Sequence, residues 1–231
     1  MYARTAIVVS ALAAAITASA QARPDTLALW TFETTGPNII LNNSATSPVA
    51  AADSGIFGGN AQGVHTSANT DWTSPAGNGS AECFSANEWQ IGDYWEFTTS
   101  TLGYQNITIG WDQTRSATGA TTFDLYYSND GVNFTNLVDD YAVLENVVAN
   151  GGTWNTTTSF PAYTFAPLGT SSDMNNQSTV WFRFVAQNAG TNTGGTGRID
   201  NVIIQGDAVP APGALALLAL AGVTARARRR R

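Results

Sequence analysis

Side chains able to do covalent or acid–base chemistry are few in this chain. Its one histidine, His65, stands in a stretch rich in Gly, Ala, Asn and Ser. A Ser-His-Asp nucleophilic system would have to use it, yet no Gly-x-Ser-x-Gly elbow accompanies it, so His65 reads as an incidental loop residue. One His and one Cys cannot build a zinc site of several such ligands. The lone Cys83 can form no intramolecular disulfide and reads as a small buried hydrophobe. Carboxylates are plentiful, and a glycosidase needs only two of them, about 5–9.5 Å apart. Glu88, Asp93, Glu96 and Asp112 fall near expected strand ends, but among 17 acids chance pairs are common and no spacing specifies one. A polysaccharide hydrolase is therefore the third-ranked reading.

Two kinds of binding chemistry rank higher. Asp- and Asn-rich loops supply the hard oxygen ligands that calcium prefers, and Asp139, Asp140 and Asp200 are the candidate ligands for a structural ion. Asn129, Asp130 and Asn133 do not reproduce EF-hand spacing. Seven tryptophans invite a carbohydrate reading, because indole faces stack on sugar rings. Trp30, Trp95, Trp111 and Trp181 fall on expected strands and read as core or sheet-face residues. Trp72, Trp89 and Trp154 lie in or near loops and form the candidate sugar-binding platform.

The elements that must position these residues are strands. Charged residues make up only 12% of the 231, aromatics 10%, and Gly, Asn, Ser and Thr are abundant, a mixture suited to short strands joined by turns. Strand signals cover Leu27 to Glu33, Tyr94 to Thr99, Asn106 to Trp111, Thr121 to Ser128, Val180 to Gln187 and Arg198 to Gln205. Several alternate with period two: Ile107, Ile109 and Trp111; Phe123, Leu125 and Tyr127; Val180, Phe182, Phe184 and Ala186. Asn129-Asp130-Gly131 marks a tight hairpin, and residues 42–87 read as long loops with a few short strands. The expected fold class is all-β: a two-sheet antiparallel β-sandwich, jelly-roll-like, over residues 23–208.

Both ends read as addresses. Arg4, the apolar run from Ala6 to Ile16 and the Ala18-Ser19-Ala20-Gln21-Ala22 exit have the three parts of a secretory signal peptide over residues 1–22, expected as a signal helix. At the other end Pro210, Ala211 and Pro212 precede a short apolar helix and then Arg226, Arg228, Arg229, Arg230 and Arg231. Terminal arginines stay cytoplasmic, so this helix, too short for a permanent span, would insert transiently and hold the precursor in the inner membrane. Between the addresses four arginines face all 17 acids, and such a surface repels phosphate backbones; nucleic acid is excluded as a partner.

This tail, over residues 209–231, resembles the PEP-CTERM sorting signal, with Pro-Ala-Pro where the family carries Pro-Glu-Pro. The resemblance implies processing near Pro210 to Pro212 by an exosortase-type membrane enzyme. YQNITIGWDQTRSATGATTFDLYYSNDGVNFTNL, from Tyr104 to Leu137, is similar to a segment of exported PEP-CTERM proteins; RIDNVIIQG from Arg198 and LALWTFE from Leu27 resemble their closing and opening strands. The leading expectation is a non-catalytic, exported cell-surface or extracellular-matrix protein. Its alternative is a carbohydrate-binding module for extracellular polysaccharide.

Overall fold

The computed structural model describes residues 23–34 and 42–210. Both expected terminal helices lie outside the described residues, among which no helix is long and apolar enough to cross a membrane. Twelve strands follow one another: β1 (Asp25–Trp30), β2 (Ala50–Ala51), β3 (Asn60–Val64), β4 (Trp72–Thr73), β5 (Phe84–Ala86), β6 (Tyr94–Thr99), β7 (Tyr104–Arg115), β8 (Thr122–Ser128), β9 (Thr135–Ala142), β10 (Thr164–Gly169), β11 (Val180–Ala186) and β12 (Gly197–Ala208). They pair antiparallel into two six-stranded sheets. One runs β10-β7-β12-β5-β4, with β1 also on β12; the other runs β2-β3-β6-β11-β8-β9.

Alternation in the sequence decides which side chains meet between the sheets. Ile109 and Trp111 of β7 face Phe182 and Phe184 of β11 across an apolar core from which water is excluded. Aromatic edges tie the layers: Trp111 to Phe184 at 5.0 Å, Trp30 to Phe97 at 5.1 Å and Phe84 to Trp95 at 6.4 Å. The fold is thus the expected β-sandwich, without helices longer than a single 3-10 turn among the described residues. The sequence pattern missed β9 and β10, edge strands whose residues are mostly exposed and so lack a clean apolar alternation.

Two glycine sites are dictated by close approach and by backbone hand. Gly131, at φ 73°, closes the β8–β9 reversal, where Asp130 Oδ1 accepts the backbone N–H groups of Val132 and Asn133. These bonds hold the Asp130 carboxyl well below the usual range, and its role is the structural hairpin expected. Gly63 lies beneath the Trp72 ring, and a Cβ there would fall 2.1 Å from the indole. Gly63→Ala is accordingly expected to cost about 1–3 kcal/mol, read as a lower urea midpoint. An unchanged midpoint would show that Trp72 can step aside freely.

Candidate functional site

The tryptophans chosen from loop position do not form a platform. Trp72, Trp89 and Trp154 are 0%, 1% and 4% exposed. Trp72 Nε1–H donates to the Ser44 carbonyl and Trp89 Nε1–H to the Ala86 carbonyl, each at 2.9 Å. Trp154 packs with Cys83 and Tyr163 in a second small cluster. Segments that look like loops in sequence fold back over the sandwich, and their indoles are the apolar mass that makes them stay there.

His65 is likewise structural. Its ring sits between Trp72 and Trp89, at 4.6 and 4.2 Å, and its Nδ1 lies 3.1 Å from Thr70 Oγ1. Burial pushes its pKa down to about 3, only partly offset by the Asn87 backbone. A neutral imidazole results, so the 3.6 Å approach of Asp93 is no working ion pair. Cys83 is fully buried and its thiol is pushed up by that burial, as expected of a small hydrophobe.

The acids named from sequence are dispersed over separate structural tasks. Asp93 accepts the backbone N–H groups of Thr66 and Gln90, at 2.6 and 2.7 Å. Glu96 accepts from Arg183 Nε at 2.6 Å, and Glu88 from Ser67 Oγ at 3.1 Å. Asp139 and Asp140 lie exposed on β9, in the sheet opposite to Asp200 of β12, so the three anticipated calcium ligands do not converge. Asp200 already accepts four hydrogen bonds, from Ser80 Oγ, Asn78 N, Asn201 N and Asn201 Nδ2. Four bonds fill the lone-pair sites of a carboxylate. No group of three or more His, Cys, Asp or Glu able to hold a metal stands among the described residues. Of the sorting motif, Pro210 is the last described residue; Ala211, Pro212 and Arg228 to Arg231 lie outside.

What the fold does assemble is the outward face of the sheet β2-β3-β6-β11-β8-β9. Trp181 is the one tryptophan of seven that is not buried. Register places Gln62, Glu96, Arg183, Tyr126 and Asn136 side by side across five strands. On one side of that row lie Thr98, Trp181 and Ser128, and on the other side Tyr94, Val185 and Asp124. The Arg183 guanidinium is fixed by Glu96 and stacks 4.5 Å from the Tyr94 ring centre and 3.9 Å from that of Phe134. Tyr126 donates its hydroxyl proton to Asp124 Oδ2 at 2.8 Å, an acceptor that pushes the phenol pKa up.

Partly exposed aromatic rings and fixed hydrogen-bonding groups thus alternate on one sheet face, on which Asp124 and Ser128 are themselves buried, the arrangement that holds an amphipathic ring by its C–H face and its hydroxyls at once. The signal was present in β11, where Val180, Phe182 and Phe184 take the inner phase and leave Trp181 and Arg183 the outer one.

No family model matches the chain, and no curated protein matches it in sequence. Among solved structures it is similar to the CBM22-1 xylan-binding domain of Paenibacillus barcinonensis Xyn10C, at 11% identity and TM-score 0.42, over 81% of this chain and 97% of that one. The CBM22-1-CBM22-2 tandem of the same protein matches at 13% identity and TM-score 0.45, over 84% of this chain and 49% of that one. The K3 cleaved adhesin domain of Lys-gingipain from Porphyromonas gingivalis matches at 16% identity and TM-score 0.36, over 56% and 76%. Scores below 0.5 at such identities leave the function of this chain to its own residues.

Proposed function

We propose that this chain is an exported, non-catalytic glycan-binding module whose platform is the outward face of the sheet β2-β3-β6-β11-β8-β9. The observation that carries the reading is the placement of Trp181: six indoles are buried, and the seventh is only partly buried on the outward face, in the row next to Tyr126 and the Arg183–Glu96 pair. The part of the indole left in solvent forfeits burial that its six counterparts obtain, which a ligand that covers it restores. A row of side chains spanning five strands suits an extended polysaccharide better than a compact metabolite. Export rests on the signal-like residues 1–22, and release or surface display on the sorting-type tail, with an exosortase-type enzyme as processing partner and the precursor held in the inner membrane.

A polysaccharide panel probed with the full chain tests the platform. Trp181→Ala is expected to weaken retention of the bound glycan at least tenfold, about 1.4 kcal/mol, while the melting temperature moves little. Binding that survives Trp181→Ala and Tyr126→Ala together would remove the assignment.

A further inference from the structure

The opposite sheet carries a second concave surface. On the outer face of β10, β7 and β12 a cleft of about 440 Å³ opens, within the range of small-ligand sites. Gly110, Pro167 and Ile203 form its apolar side. Asn78, Asp112, Ser159 and Thr164 form its polar side.

Asp112 is only 4% exposed, and both hydrogen bonds it receives fall on one oxygen: Oδ2 accepts from Asn78 Nδ2 at 2.9 Å and from Asn201 Nδ2 at 2.8 Å. Its Oδ1 accepts none from the described residues. Asp200, directly across from Asp112 in the ladder, is fully buried, and that burial raises its pKa to about 7, so it keeps its proton in mildly acidic solution and needs no counter-cation there. No cation is paired with Asp112 among the described residues. Arg183 is paired with Glu96 on the other sheet, and the Arg115 guanidinium is turned to the carbonyls of Val143, Ser116 and Ala117. Arg198, on the same strand as Asp200, makes no ion pair among the described residues. Oδ1 is thus the Asp112 oxygen left without a protein donor, and a cation with N–H groups that reaches it would supply charge-assisted hydrogen bonds there.

We propose that this cleft binds a saccharide residue bearing a free amine, its ammonium donating to Asp112 Oδ1, its C–H face on Pro167 and Ile203, and its hydroxyls toward Ser159 and Thr164. Calcium fits less well, since one free carboxylate oxygen falls far short of six to eight ligands. A lysine side chain would answer the charge but make no use of the exposed Ser159 and Thr164 hydroxyls. The site lies on the other sheet from Trp181 and does not depend on the glycan platform proposed there.

The test titrates the full-length chain with the glucosamine trisaccharide and with its N-acetylated counterpart, at about pH 6, where an aliphatic amine is protonated. The free-amine trimer is expected to bind at least tenfold more tightly, and Asp112→Asn to abolish the difference. Should that variant fail to fold, Thr164→Lys serves instead. Thr164 is the cross-strand partner of Asp112, so the substitution sets an ammonium in the cleft; it is expected to raise the melting temperature and displace the sugar. Trp181→Ala is expected to leave this binding intact. Equal affinity for the two trimers, tighter binding of acetyl-lysine amide or of calcium chloride, or a Thr164→Lys chain that still binds the free-amine trimer would each overturn the proposal.

Discussion

Trp95→Ala is expected to cost about 3–5 kcal/mol of unfolding free energy, the ordinary range for deleting a buried indole. Trp95 is fully buried on β6, 4.4 Å from Trp89, stacked at 5.9 Å on Phe123 and 6.4 Å from Phe84. Those neighbours belong to both sheets and to the loop that packs on them, so the hole would open where the layers meet and no single strand could move in to fill it. The indole also has an uncompensated feature: its Nε1–H is buried with no acceptor. Trp95→Phe should therefore lose less than its reduced volume implies, because the unsatisfied donor leaves with the second ring. Urea denaturation of the two variants checks both statements, and a loss below about 1 kcal/mol for Trp95→Ala would mean that the sheets are not held together through this cluster.

The pH profile of stability is expected to contain two opposed contributions. His65, held at about 3 in the native state, stays neutral while the unfolded chain takes up a proton below its ordinary 6.5. Stability from this source is lost as pH falls through that interval. Asp200 acts the other way: burial foremost, with Asp112 beside it, raises its pKa to about 7 from 3.8. The native state keeps a proton that the unfolded chain releases, so its contribution is complete below 3.8 and lost as pH rises toward 7. Asp93, raised by burial, adds to the Asp200 side.

Each effect amounts to about 3 kcal/mol between pH 4.5 and 7.5, at 1.36 kcal/mol per unit. They nearly cancel in the native protein and are uncovered by substitution. His65→Asn should grow more stable relative to the parent on acidification, and Asp200→Asn less stable. Unfolding free energies at the two pH values check this, and variants whose profiles run parallel to the parent's would show that neither group titrates as its surroundings require. Asp53, where burial pushes up but the hydrogen bonds from Thr34, Thr31 and Phe32 together outweigh it, and Asp130 and Asp173, held low by hydrogen bonds, act below this window.

The two candidate surfaces differ in how they are made. The Trp181 face follows from strand phase alone: once Phe182 and Phe184 enter the core, Trp181 and Arg183 must point outward. The Asp112 cleft needs a bulge in β12. Between Asp200 and Ile203 the register with β7 slips, and Asn201 adopts φ 49°, which turns its amide to Asp112. Neither surface uses the loop indoles that composition recommends.

Strand identity was legible in the linear chain wherever apolar alternation was strong. Tyr94–Thr99 was anticipated to the residue, and the segments at Thr122, Val180 and Gly197 to within a few positions. The all-β class, the acidic body and the Asp130-Gly131 reversal were equally open to reading, because each depends on neighbours within a few residues. The fate of Trp72, Trp89, Trp154 and His65 was not. They lie in segments without periodicity, and what buries them is contact with residues far along the chain or on another strand, such as Ser44 over Trp72 and Phe123 beside Trp89. Burial of a loop side chain is a property of what folds over it, and the meeting of Asn78, Asp112 and Asn201 is likewise set by tertiary packing, across separations of 34 and 89 residues.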